Sequence, residues 1–189
     1  AITVSRELQL TLTGKSCGLK ERAPMCGVPF HASETYIGRL IKKGYKVAVC
    51  EQVEDPTLAK GIVKREVISI ITPGTVFEES MLDNTSNNYL AVIYVRNEGA
   101  GLAYCDISTG ELVVADFKDS GFAENIVNEV SKINAREIIV NETVKNDDNS
   151  LNLSELSDAY ISYMNESYFD VEQAEKVICR HFKVSATDG

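Results

Sequence analysis

The chain has 189 residues, 44% of them apolar and 25% charged, with a formal net charge of −9, an ordinary balance for one sizeable globular domain or two small ones. No apolar run reaches the length that spans a bilayer, and no charged-then-apolar leader opens the chain. The five cysteines (Cys17, Cys26, Cys50, Cys105, Cys179) are odd in number and form no Cys-x-x-Cys pair, which argues against a disulfide framework or a zinc ribbon and for reduced thiols in a cytoplasmic protein.

The first residues read as the end of a helix running into a strand, because Leu8, Leu10 and Leu12 alternate with Gln9, Thr11 and Thr13. Residues 14–18 read as a loop. Pro24 and Pro29 fix their φ angles around Met25-Cys26-Gly27-Val28, a stiff loop that places Met25 at its tip. Gly27, without a Cβ, permits close approach of a backbone or a ligand. A helix is predicted from an N-cap at Ser33, with Tyr36, Ile37, Leu40 and Ile41 as its apolar stripe and Gly44 as its stop. Strands follow at residues 45–50 and 63–71. Between them, Asp55-Pro56 suits the start of a short helix. Thr72-Pro73-Gly74-Thr75 suits a type II turn.

Residues 76–87 end in a polar run and read as a linker, whose core is placed at 77–87. Three apolar runs at 88–95, 101–107 and 111–117, broken by short turn sequences, predict an antiparallel meander. Ala123, Ile126, Val127, Val130 and Ile133 give a helical stripe, and residues 137–140 a short strand. Residues 141–150 read as a mobile polar loop. Asp170, with Gln173 three positions on, predicts a capped helix carrying Ala174, Val177, Ile178 and Phe182. The fold class is therefore α/β: a mixed α+β first domain over residues 1–76, then a ribonuclease H-like domain over 88–189.

Charge divides along the same line. The first 80 residues hold 11 lysines and arginines against 9 acids, while the remaining 109 hold 8 against 19. Only the first segment has a charge balance compatible with a phosphate backbone.

Four stretches carry a resemblance: residues 23–53 (A-P-M-C-G-V-P-F-H through V-C-E-Q-V), L-T-L-T-G-K at 10–15, E-Q-V-E-D-P at 51–56 and K-R-E-V-I-S-I-I-T-P-G-T at 64–75. In this order they resemble the MutS family of DNA mismatch-recognition proteins. The resemblance implies a fragment holding most of the mismatch-recognition domain and much of the connector, which passes conformational change between DNA-contacting and ATPase regions. It implies duplex DNA with mismatches and the remainder of the same polypeptide as partners, with a homodimer in the full-length protein. ATP and magnesium would be bound by the full-length protein but not by this fragment. In relatives the Met25 loop approaches the minor groove, so Met25, Cys26 and Gly27 become DNA-binding candidates. Lys15 joins them, since relatives carry a basic residue near DNA at that place. The alternative readings are core filler for Met25 and a solvated lysine for Lys15. The family's Phe-x-Glu motif, a wedge with its hydrogen-bonding partner, falls upstream of Ala1.

Other chemistry reads weakly. Gly14-Lys15-Ser16 ends like a phosphate-binding loop, but Gln9 stands where that loop needs glycine. Asp106, with Asp116 and Asp170 as companions, suggests a ribonuclease H-like metal-dependent nuclease with an N-terminal substrate domain. The competing reading makes Asp106 the brace of the Ser108-Thr109-Gly110 turn. Cys17, Cys26 and His31 fit no familiar metal spacing. A third reading has the acidic second half docking a basic partner.

Overall fold

The computed structural model describes every residue except 19, 58–60, 77, 79–80, 83–84, 97–98, 119–120, 147–150, 152, 154–158 and 188–189. The chain divides into two units, Ala1–Asn87 and Asn88–Gly189.

In the first unit, helix α1 spans Ile2–Leu8 and stops where Gln9 turns left-handed at φ 55°. The strand expected over residues 8–13 does not form. Leu8 is instead the last helical residue and the buried one, while Leu12 is exposed. The alternation reflected a helix end followed by an extended link. Strands β1 (Thr13–Lys15) and β2 (Ala23–Met25) then pair as an antiparallel hairpin, so Gly14 and Lys15 are strand residues and not loop.

A 3-10 turn at Phe30–Ala32 leads into helix α2, Ser33–Ile41. Ser33 is the first helical residue rather than the cap, and its hydroxyl donates to the Phe30 carbonyl at 2.7 Å. The predicted stripe faces inward through Ile37 and Ile41. Gly38, between them, is buried against Met81; a Cβ there would lie 3.1 Å from Met81 Cγ. Gly44, at φ 80°, turns the chain out of the helix, and its N–H reaches the Ile41 carbonyl at 2.8 Å. Strands β3 (Val47–Gln52) and β4 (Arg65–Ile71) pair antiparallel, with a register shift between Val49 and Cys50.

Of three turn and linker expectations, one lies outside the described residues and two change. The short helix after Asp55-Pro56 would fall on 58–60, outside the described residues; Asp55 Oδ1 accepts from the Thr57 N–H and hydroxyl in a local Asx turn. The 72–75 turn is closed by the Thr75 N–H to the Thr72 carbonyl at 3.1 Å. Gly74 lacks the positive φ that type II geometry requires. Finally, Val76 and Met81 do not bridge the units as a free linker. They join Ile41 and Ile71 in the first unit's core, with Leu82 packed against it.

The second unit is a five-stranded mixed sheet. Strands β5 (Tyr89–Arg96), β6 (Gly99–Asp106) and β7 (Glu111–Phe117) form the antiparallel meander read from the sequence. Gly99 is required by close approach: a Cβ would sit 2.4 Å from the Phe117 carbonyl oxygen. Helix α3, Phe122–Ile133, crosses over and returns the chain to β8 (Glu137–Asn141), parallel to β5. Strand β9 (Tyr160–Met164) adds in parallel to β8, giving the order β7-β6-β5-β8-β9, the ribonuclease H-like arrangement. Ile126 and Val130 of α3 pack on Ala91, Ile93, Leu102, Ile138 and Val140.

Residues 141–146 are not a mobile loop. Asn141 ends β8 and is 1% exposed, and a 3-10 turn follows at Glu142–Asn146; residues 147–150 lie outside the described set. Helix α4, Val171–Phe182, is capped as predicted, the Gln173 N–H reaching Asp170 Oδ1 at 2.8 Å. Its stripe is not core: Val177 is 62% and Phe182 54% exposed.

Limited proteolysis is expected to cut between Leu82 and Tyr89 before either core, because Met81 is the last buried residue of one unit and Tyr89 opens the first strand of the other. First cuts within α2 or β3 would contradict this, when read by mass spectrometry of the earliest fragments.

Candidate nucleic-acid interface

The β1–β2 hairpin positions the predicted residues. Thr13 opposes Met25, Gly14 opposes Pro24, and Lys15 opposes Ala23. Opposed residues share a face of a strand pair, as do residues two apart. Lys15 and Met25 therefore project from one face of the ribbon. The Thr13 hydroxyl donates to the Met25 carbonyl at 2.9 Å and pins that end. Met25 is thus not at a loop tip. It ends β2, away from the hairpin turn, with 44% of its surface exposed. It is no core filler in the described unit.

Pro24 lacks an N–H, which a two-stranded ribbon tolerates better than a sheet centre. Gly14 opposite it lies close to Arg22, whose Cβ would be 3.0 Å from an added Cβ. Cys26 is half-buried, its thiol 3.6 Å from the Ala1 carbonyl. Gly27 has no heavy atom within 4 Å of where a Cβ would stand, so its backbone is open on that side.

Phe30 is the residue that sequence reading passed over. It is 88% exposed, five positions after Met25. Its place outside the α2 stripe, behind Pro29, was the available signal.

The cations of the first unit sort by whether they are already neutralised. Lys43 is held by Glu7 at 2.7 Å, and Lys64 by Glu66 at 2.6 Å. The Glu7 carboxyl is correspondingly held below the usual carboxylate range by Lys43. Lys15, Lys20 and Arg22 are exposed and form no ion pair among the described residues. A short ribbon thus carries free cations beside an exposed thioether. Such a surface suits a phosphate backbone and a groove wall.

The competing chemistries lose their geometry. Gly14 and Lys15 are committed to strand pairing, so no glycine turn cradles a phosphate there. Asp106 accepts from the Ser108 N–H at 2.9 Å, the Ser108 hydroxyl at 2.6 Å and the Asn88 N–H at 3.0 Å. It braces the turn. Asp116 stands at the other end of the sheet, since Asp106 opposes Glu111 while Asp116 opposes Gly101, a span of roughly 17 Å at strand rise. Asp170 caps α4. The three acids named for a nuclease do not converge, and among the described residues no group of three or more His, Cys, Asp or Glu is placed to hold a metal ion. No described helix is long and apolar enough to cross a membrane.

The geometry defines a tandem of two α/β domains, the first bearing a cationic, apolar-sided hairpin and the second a ribonuclease H-like sheet. Residues 1–80 match the family model for MutS domain I, and residues 88–189 match that for MutS domain II. The chain belongs to the MutS family. It is 47% identical over 184 residues to the DNA mismatch repair protein MutS of Acetivibrio thermocellus, covering 97% of this chain and 21% of the relative. The protein of that name from Lachnoclostridium phytofermentans is 47% identical over 192 residues, covering 100% of this chain and 20% of the relative. That from Clostridium perfringens is 54% identical over 143 residues, covering 74% and 15%. The chain spans about a fifth of the length of these relatives.

Proposed function

We propose that this chain is the mismatch-recognition and signalling module of a DNA mismatch repair protein, and that it has no catalysis of its own. The observation that carries this reading is the β1–β2 hairpin, which aligns Lys15 with exposed Met25 on one face and leaves Gly27 open beside them. Lys15 would neutralise a phosphate. Met25, with Cys26 and Gly27, would line the minor groove. The second unit, acidic and built on a rigid sheet, would relay the bound state and not touch DNA. ATP and magnesium would bind elsewhere in the parent polypeptide, which would act as a cytoplasmic homodimer. The dispersal of Asp106, Asp116 and Asp170 supports the non-catalytic reading over the nuclease.

The test is a titration of matched and single-mismatch duplexes at two salt concentrations. Weak binding with a shallow salt slope is expected, because few free cations face the groove. Lys15→Ala should weaken both duplexes alike and flatten the slope further. Met25→Ala should reduce what mismatch preference exists. Preference for the mismatch above about tenfold, or ~1.4 kcal/mol, would mean the hairpin reads the lesion unaided. Equal binding by wild type and both variants would remove this surface from the interface.

A further inference from the structure

Arg22 immediately precedes β2, and Gly14 sits in the middle of β1 opposite Pro24. Residues two apart along a strand share a face, so Arg22 belongs to the Gly14–Pro24 face, and Lys15 and Met25 to the other. The Arg22 Cβ lies 3.0 Å, and its Nε 3.6 Å, from the point where a Cβ on Gly14 would stand. The arginine stem therefore folds back across β1, through the space that glycine leaves. Rotation of the arginine's χ angles could swing Nε clear of a methyl group at Gly14. It could not move the Arg22 Cβ, which is the root of the side chain and shifts only with its backbone. Gly14 is not among the glycines at positive φ, so its own conformation would accept another residue. What glycine supplies at this position is room for Arg22.

Arg22 is exposed, and among the described residues it forms no ion pair, even with its neighbour Glu21. Lys20, in the turn between the strands, is exposed and likewise without an ion pair. The two cations differ in how they are held. An arginine laid across a strand has given up part of its rotamer freedom before any ligand arrives. For one long side chain that freedom is worth roughly two- to tenfold in affinity. The guanidinium also presents parallel N–H donors that match a phosphate bidentately, where a lysine offers a point charge.

We propose that Arg22 is a second phosphate-contacting residue of the hairpin, on the face opposite Lys15, and that Gly14 is the positioning residue that seats it. This rests on the reading of the hairpin as the DNA-facing surface. The ribbon then meets the duplex backbone with a cation on each face. Gly14 has its reason in the arginine that crosses it and not in a phosphate-cradling turn.

The test is a fluorescence-anisotropy titration of matched and single-mismatch duplexes with the 189-residue chain, at about 50 mM and about 200 mM salt. Circular dichroism checks the fold of each variant. Arg22→Ala is expected to weaken both duplexes by about tenfold at the lower salt and to reduce the salt slope by about 0.9, the share of one phosphate. Arg22→Lys should keep the slope and still lose several-fold in affinity, a separation that a purely structural role would not produce. Gly14→Ala should weaken binding roughly two- to tenfold when Arg22 is present and not at all in the Arg22→Ala background. Lys20→Ala should cost less than Arg22→Ala. Wild-type binding by Arg22→Ala, with Lys15→Ala weakened, overturns this inference and leaves the hairpin reading standing. Wild-type binding by both variants overturns the two together. A Gly14→Ala effect that persists without Arg22 overturns the seating. A Lys20→Ala loss as large as that of Arg22→Ala overturns it too, because the contact would then be one of general charge. The Arg22 variants change an exposed position and decide the matter even where Gly14→Ala alters the fold.

Discussion

Asn141→Leu is expected to remove about 3–5 kcal/mol from the second unit, the largest effect of any single substitution considered for this chain. The reason lies in how β5 ends. Strand pairing between β5 and β8 runs from Leu90 opposite Glu137 to Ile93 opposite Val140. Beyond it, the Val95 N–H and carbonyl have no backbone partner on β8. Asn141 supplies both: its Oδ1 accepts the Val95 N–H at 2.9 Å, and its Nδ2 donates to the Val95 carbonyl at 3.1 Å. The amide thus imitates one more residue of the ladder. With Asn141 1% exposed, water cannot replace these bonds, so leucine strands a buried donor and a buried acceptor. Nδ2 also reaches Glu166 Oε1 at 3.1 Å, and Glu166 accepts from the Thr143 N–H and hydroxyl. The turn after β8 is therefore tied to the segment before α4 through the same side chain. Equilibrium urea unfolding of wild type, Asn141→Leu and Asn141→Ala would measure the loss. A change below ~1 kcal/mol in both variants would show that the Val95 groups find other partners.

This network was illegible in the sequence for a physical reason. Asn141 heads the run N-E-T-V-K-N-D-D-N-S, whose composition is that of a loop, and only its neighbours in space make it a strand end. Composition reports what a segment does alone. By contrast the meander was legible, because alternating apolar residues and a Ser-Thr-Gly turn encode it locally, and α3 because its stripe is both periodic and buried. The α4 stripe has the same periodicity and is exposed, so periodicity located the helix without saying what covers it. Strand β9 escaped because Tyr-Ile-Ser-Tyr-Met shows no clean alternation; its place is set by pairing with β8. At the hairpin, three-residue strands such as the one containing Pro24 are too short to signal in the sequence, so Met25 reads there as a loop residue. The candidate residues themselves came from family resemblance. What geometry added is that Lys15 and Met25 share a face, and that Phe30, five positions after Met25, is exposed.

Asp106→Asn is expected to cost about 2–3 kcal/mol at neutral pH and to flatten the acid limb of the stability curve. Burial of Asp106, 1% exposed, pushes its carboxyl up. The Ser108 hydroxyl and the N–H groups of Asn88, Ser108 and Thr109 outweigh that and hold it below the usual carboxylate range. Since the folded value lies below the unfolded one of about 3.9, this carboxylate contributes its full stability above about pH 4. The contribution is lost as pH falls through the folded value. Glu166 loses stability in the same direction: burial raises its carboxyl, but Asn141 and Thr143 lower it further. The wild type should therefore weaken on acidification below about pH 4, and the variant should weaken less over that window. Asparagine keeps the shape of the side chain but turns an NH2 toward one set of donors, so either the Asn88 N–H or the Ser108 pair loses its acceptor. Asn88 is the first residue of the second unit, and its bond to Asp106 closes the edge where β5 begins. Loss of that bond should appear as faster amide exchange at Asn88 with exchange in β7 unchanged. Unfolding curves for the variant parallel to those of the wild type from pH 7 down to about pH 3 would show instead that the carboxylate is not the titrating brace.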